Sequence, residues 1–259
     1  MNTIPQTRVI ALANQKGGVG KTTSTLNLGA ALASRGRRVL LIDLDPQSNL
    51  TMGLGVNPYE ERHTAYHVLH NAAEQSAAFA VMHVHECLDL IPATLDMAAA
   101  EIELAGAISR ESLLRRALSE IKGDYNYILI DPPPSLGLFT LNALAAATEV
   151  LIPLQPQPYA MKGMGQLQKT IKHMRQVNGS LRIGGVLLTM VQHNNLNAAL
   201  IDKIRASPLA ALVYQTTIPQ NVRLAESSAS GKPIIEYDAS STGAAAYAAL
   251  AEEIDHGAA

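Results

Sequence analysis

Residues 14–23 read "NQKGGVGKTT" directly after the apolar run "RVIALA". Glycines spaced this way let successive backbone N–H groups turn inward and cradle phosphate oxygens. The positive end of a following helix strengthens the cradle. Gly17, Gly18, Val19, Gly20, Lys21, Thr22 and Thr23 would supply it, with Lys21 reaching the β- and γ-phosphates and the Thr22 hydroxyl ligating Mg²⁺. The strict pattern G-x-x-x-x-G-K-S/T nevertheless has Gln15 in place of its first glycine. One lysine suffices for such a loop, so Lys16 needs a separate explanation.

A phosphate loop working on a nucleotide needs acidic partners at neighbouring strand ends. "YNYILIDPPP" offers Asp131, able to hold a water of a Mg²⁺ shell. "LLIDLDPQ" offers Asp43, still inside its strand, and Asp45 just beyond it, where a carboxylate can orient an attacking water. Asp45 is the candidate hydrolytic residue.

These residues require strands that end side by side. Apolar runs at 9–13, 38–43, 88–92, 127–131, 149–153, 183–189 and 213–218 read as strands. Most are nearly continuous, as in strands covered on both faces. Helical patterns at 22–34, 95–105, 111–121, 136–147, 163–176, 196–206 and 242–254 alternate with them. The alternation predicts a single α/β domain over residues 1–259, a mostly parallel twisted sheet with helices on both faces. "QPQPYAMKG" and "ESSASGKP" read as loops.

Composition narrows the class. Charged residues make up 16% of the chain, too few for long disorder, and the net charge of −2 confines any DNA contact to a local patch. The single cysteine, Cys87, excludes an internal disulfide framework and a multi-cysteine metal site, and fits a reducing cytosol. "MNTIPQTRV" has no apolar signal core, and no run is long enough to span a membrane. Five histidines between 63 and 85 have no nearby cysteine to complete a zinc site and read as a polar surface.

"KGGVGKTT", "LLIDLDPQSN", "LIPATLDMAAAEIEL", "DPPPSLGLFTLNAL", "LIPLQPQPYAMKGM", "GGVLLTM" and "IPQNVRLAESSASGKPIIEYD" occur in that order. Together they resemble the ParA family of partition ATPases, in its short chromosomal type, from about Val9 to Ile254. The resemblance implies a deviant P-loop whose first lysine, here Lys16, crosses a dimer interface to phosphates bound by the partner subunit. Two ATP molecules would be sandwiched between two subunits, with Mg²⁺ as the metal and Pro219 and Asn221 near the base. A cation arriving in trans can neutralise transition-state charge. It also makes association report the nucleotide, because ADP lacks the γ-phosphate.

The same resemblance implies non-specific binding to duplex DNA and a ParB-like or cargo-adaptor partner that stimulates hydrolysis. It also implies a cytoplasmic, nucleoid-associated location and no membrane contact. Relatives carry arginines where this chain reads "VQHNNLN" and Gln220, and a basic pair where it reads "YDASSTGAAA". Lys203, Arg205, Arg223 and Lys232 remain, with Lys169, Lys172 and Arg175 on one helix; they form either a substitute patch or a solvated face. Pro132 stiffens the loop after Asp131, and "ESSASGKP" lacks a usual proline.

Other readings compete. The cargo could be a protein assembly rather than a chromosome or plasmid. A MinD-like membrane switch needs a basic amphipathic C-terminal helix, whereas "AAYAALAEEIDHGAA" is acidic. A metabolic P-loop enzyme needs cluster cysteines or a substrate pocket that the sequence does not announce.

Overall fold

The computed structural model describes residues 7–158 and 160–257. In chain order, β1 (Arg8–Leu12) leads through the glycine loop into α1 (Lys21–Ser34), followed by β2 (Val39–Asp43), α2 (Asn49–Gly53) and α3 (Ala65–His70). Then come β3 (Met82–His85), β4 (Leu88–Ile91), α4 (Met97–Glu103), α5 (Leu113–Ala117), β5 (Tyr127–Asp131) and α6 (Leu138–Ala146). The second half runs β6 (Glu149–Leu154), α7 (Ala160–Met174), β7 (Arg182–Val191), α8 (Asn195–Arg205) and β8 (Val213–Pro219). It closes with α9 (Val222–Ala229), α10 (Ile234–Tyr237) and α11 (Thr242–His256).

Eight strands form one sheet in the order β3-β4-β2-β5-β1-β6-β7-β8. Every pairing is parallel except β3 with β4. β2, β5 and β6 are buried along their whole length, so their side chains alternate between two cores. Leu40, Ile42, Ile128 and Ile130 enter the core under α3–α8. Val39, Leu41, Tyr127 and Leu129 enter the core under α1 and α11. Gly29 lets α1 lie close on β2, since a Cβ there would stand 2.6 Å from Leu41 Cδ2.

β1 sits between β5 and β6, the point where the chain changes direction across the sheet. Such a switch point opens a crevice beyond the strand ends. The glycine loop occupies it. Asp43 and Asp131 are register partners at the adjacent ends of β2 and β5.

Several sequence expectations need correction. β3 was not expected, because Met82–His85 is polar and only half buried, as an antiparallel edge strand can be. The expected helix at 111–121 shortens to α5, flanked by 3₁₀ turns. "ESSASGKP", read as a loop, begins inside α9. Its serines remain helical by donating back to the helix, Ser227 and Ser228 Oγ to Leu224 O at 3.0 and 3.1 Å.

Candidate nucleotide site

The loop is tied at both ends before α1 begins. Asn14 Nδ2 donates to Pro153 O on β6 at 2.7 Å, and Asn14 Oδ1 accepts the Lys16 N–H at 3.0 Å. Gly18 and Gly20 take φ values of +70° and +81°, which side-chain-bearing residues rarely adopt. Thr189 on β7 donates its hydroxyl to Val19 O at 2.9 Å, holding the loop's far side.

Lys21 and Thr22 therefore open α1 with their positions set. Thr22 Oγ1 donates to Asp131 Oδ2 at 2.6 Å, and Thr25 Oγ1 donates to Asp131 Oδ1 at 3.4 Å. Burial raises the Asp131 carboxyl to about 8, with the Asp43 and Asp45 charges adding to the rise against Thr22 and Lys21. Burial also lowers the Lys21 ammonium, opposed by Asp131 and Asp45. A buried cation facing carboxyl groups whose titration is displaced by burial marks an electrostatically poised site.

Asp43 is fully buried and accepts three donors: Thr51 N at 2.9 Å, Thr51 Oγ1 at 2.8 Å and Asp45 N at 3.1 Å. Burial raises its carboxyl to about 6 despite these bonds. It thus anchors the turn carrying Asp45, whose Oδ1 accepts Gln47 N at 3.0 Å.

A cavity of 730 Å³ opens over these groups, lined by the glycine loop, Lys21, Thr22, Asp45, Asn49, Pro134, Met190 and Ser228. An apolar cavity of 320 Å³ adjoins it, sharing Gly20, Thr23 and Met190 and walled by Ile218, Pro219, Leu224 and Tyr247. The first exposes the glycine loop and Lys21, whereas the second is walled mainly by apolar side chains. Asn221 borders the second, but its amide is engaged. Oδ1 accepts Arg223 N and Nδ2 donates to Thr242 Oγ1, each at 2.8 Å.

Lys16 does not line the phosphate cavity. Its ammonium rests on Gln157 Oε1 in the loop after β6. Pro132 belongs to a loop that is pinned, since Thr140 Oγ1 donates to Ser135 O at 2.6 Å and Glu101 Oε1 accepts Leu138 N at 3.0 Å.

The four cations named for DNA do not form one patch. Lys203 and Arg205 end α8 beside the start of β8, where Arg205 Nη2 donates to Gln215 O at 3.3 Å. Arg223 and Lys232 lie beyond the other end of β8, a strand of seven residues. At about 3.3 Å per residue that separates the pairs by about 20 Å. Arg223 is also compensated, by Glu226 at 2.9 Å and Asp238 at 3.6 Å.

Among the described residues no cluster of three His, Cys, Asp or Glu could hold a metal ion, and no helix is long and apolar enough to cross a membrane. Residues that sequence reasoning missed include Thr51, Thr189, Ser228 and Met190, whose φ of +51° turns it between the two cavities. Only "LLTM" and "DPQSN" hinted at them.

A family model described as an AAA domain matches residues 7–183. The sporulation initiation inhibitor protein Soj of Bacillus subtilis is 48% identical over 249 residues, spanning 95% of this chain and 98% of Soj. The chromosome partitioning protein ParA of Caulobacter vibrioides is 46% identical over 250 residues, 95% of this chain and 93% of that protein. The chain belongs to the ParA family of partition ATPases. A solved structure of cobyrinic acid a,c-diamide synthase from Mycobacterium smegmatis, with bound ADP and magnesium, superposes with a TM-score of 0.83. It is 37% identical, over 96% of this chain and 94% of that one.

As a ParA-family ATPase the chain hydrolyses ATP. The donor set fits a magnesium–nucleotide complex: one hydroxyl, a carboxylate behind it, a buried ammonium and a glycine loop at a helix N-terminus.

Proposed function

We propose that the chain is an ATP-switched homodimer that positions a chromosome or plasmid on duplex DNA, over one P-loop domain spanning residues 1–259. The observation that carries this reading is the placement of its two lysines. Lys21 is buried in the phosphate cavity, whereas Lys16 is exposed outside it and rests on Gln157 of its own chain. A cation held outside its own site is free to enter a partner's.

In this reading Lys21 and the N–H groups of Gly17–Thr23 bind the phosphates, and the Thr22 hydroxyl would ligate the metal. Magnesium, when bound, neutralises charge on the phosphate oxygens. Asp131, behind Thr22, would hold a water of the magnesium shell. Asp45 orients the attacking water from a turn anchored by Asp43. Lys16 of the opposite subunit offsets the charge that develops. Pro219 packs on the base, while Asn221 holds α9 in place beneath it. A ParB-like or cargo-adaptor partner stimulates turnover, and the dimer works in the cytoplasm on the nucleoid.

The test is binding of the Asp45→Ala protein to random-sequence duplex DNA, with ATP and with ADP, across a salt series. Binding that requires ATP and weakens steeply with salt supports the reading. No binding at low salt by an intact ATP dimer would point to a matrix other than DNA. Stoichiometric turnover of a metabolite with ATP would instead move the chain to the ligases.

A further inference from the structure

Charge is unevenly placed along this chain. Between residues 150 and 225 there are eight Lys and Arg and a single carboxylate, Asp202, although the whole chain carries −2. Asymmetry of this kind marks a surface for a polyanion. The structure shows where the excess falls.

Lys169, Lys172 and Arg175 recur every third residue along α7 and its end, all exposed. Leu167, Ile171 and Met174 on the other side of the helix are buried. Lys203 and Arg205 end α8, whose Ile204 enters the same core as those three. α7 and α8 thus cover one face of the sheet. Their last turns lead into the starts of the parallel neighbours β7 and β8. Five cations therefore gather at the end of the sheet away from the glycine loop. Lys169, Lys172 and Lys203 form no salt bridge among the described residues.

The opposite corner keeps one exposed cation without a salt bridge among the described residues, Lys232. Gln192 Nε2 donates to Gln220 Oε1 at 2.5 Å, and Arg223 is held by two carboxylates. Helix dipoles favour cations in a last turn, which accounts for Lys172 or Lys203 but not for Lys169, a turn earlier. We propose that this α7–α8 end is the surface that rests on duplex DNA, through phosphate contacts of the five cations.

Duplex DNA fits better than other polyanions. Residues 160–212 contain no Phe, Tyr or Trp, so there is no platform for stacking unpaired bases. The exposed positions described on α7 carry Gln, Lys, Gly and His rather than large apolar groups, so no apolar face enters a lipid surface. The inference rests on the DNA reading proposed above and specifies its surface.

The test compares wild type with Lys169→Gln/Lys172→Gln/Lys203→Gln and with Arg223→Gln/Lys232→Gln, using a random-sequence duplex and ATP across a salt series. ATP-dependent light scattering and thermal melting check that each protein folds and associates. The triple variant should lose at least tenfold in affinity, and its log–log salt slope should shrink by up to about 5, near 0.9 per lost contact with three cations removed from each of two subunits. The double variant should keep the wild-type slope. A triple variant with wild-type affinity and slope overturns the assignment while leaving DNA binding intact. A wild type that forms the ATP dimer yet binds no DNA at low salt overturns the DNA reading itself. Loss of binding to phosphatidylglycerol vesicles by the triple variant, with no wild-type DNA binding, would assign the face to lipid and overturn the proposal.

Discussion

The Thr51 hydroxyl donates to Asp43 Oδ2 at 2.8 Å and accepts the Ala93 N–H at 3.0 Å. One fully buried side chain thus joins the end of β2, the start of α2 and the segment after β4. Thr51→Val keeps the shape and leaves Asp43 short of a donor. Stability should fall by about 1.5–3 kcal/mol, the range for a hydrogen bond to a charged group. Thr51→Ser should restore most of it in urea denaturation. Equal stability of the valine and serine variants would show that the hydroxyl contributes nothing.

Asp131 gives the nucleotide-free protein a pH signature. Its carboxyl stands at about 8 and that of Asp43 at about 6, both above the ordinary 3.8. Between about pH 4 and about pH 8 the folded chain holds protons that the unfolded chain has released, so stability falls as pH rises. Asp131→Asn should flatten the upper part of that fall. Thermal midpoints at about pH 5.5 and about pH 8.5, without nucleotide or divalent cation, check it. A wild-type midpoint that rises toward the alkaline end would contradict the assigned direction.

The two lysines should separate binding from association. Lys21→Ala should abolish nucleotide binding in calorimetry, because the buried ammonium lies within the phosphate cavity. Lys16→Ala should keep ATP binding by the single subunit and lose ATP-dependent association in light scattering. Association of that variant with ATP would remove Lys16 from a role across the interface.

Gly231 and Gly55 approach closely where α9 meets α2. A Cβ at Gly231 would lie 2.7 Å from Gly55 Cα, and Gly231 has φ +68°. Gly36 has φ +75° but open space around it. Gly36→Ala should cost about 1–2 kcal/mol from the left-handed backbone alone. Gly231→Ala should cost more, because backbone must also move. At about 2–4 °C per kcal/mol, melting curves resolve the two, and equal losses would mean that the contact yields freely.

Much of the site was legible in the chain itself. The strand, glycine loop and helix around Lys21 are local, because left-handed glycines and a helix start act over a few residues. Continuous apolar runs likewise reported strands covered on both faces, and Asp43, Asp45 and Asp131 were recognisable as acids at strand ends. Edge strand β3 and helix α9 escaped notice for local reasons too. Half-exposed His83 and His85 break the apolar pattern, and the serines of α9 hide their helicity in back-bonded hydroxyls.

Tertiary structure decided what lies far apart in sequence. Inserting β1 between β5 and β6 brings Thr22 to Asp131 across 109 residues. No local pattern encodes that order, since it depends on which strands pair. The length of β8 divides the cations that the sequence listed together, and the shared face of α7 and α8 gathers others. Residue types and spacing set the chemistry available, because the backbone angles of a loop depend on its own residues. Which of those groups meet depended on how the whole sheet buries its two faces.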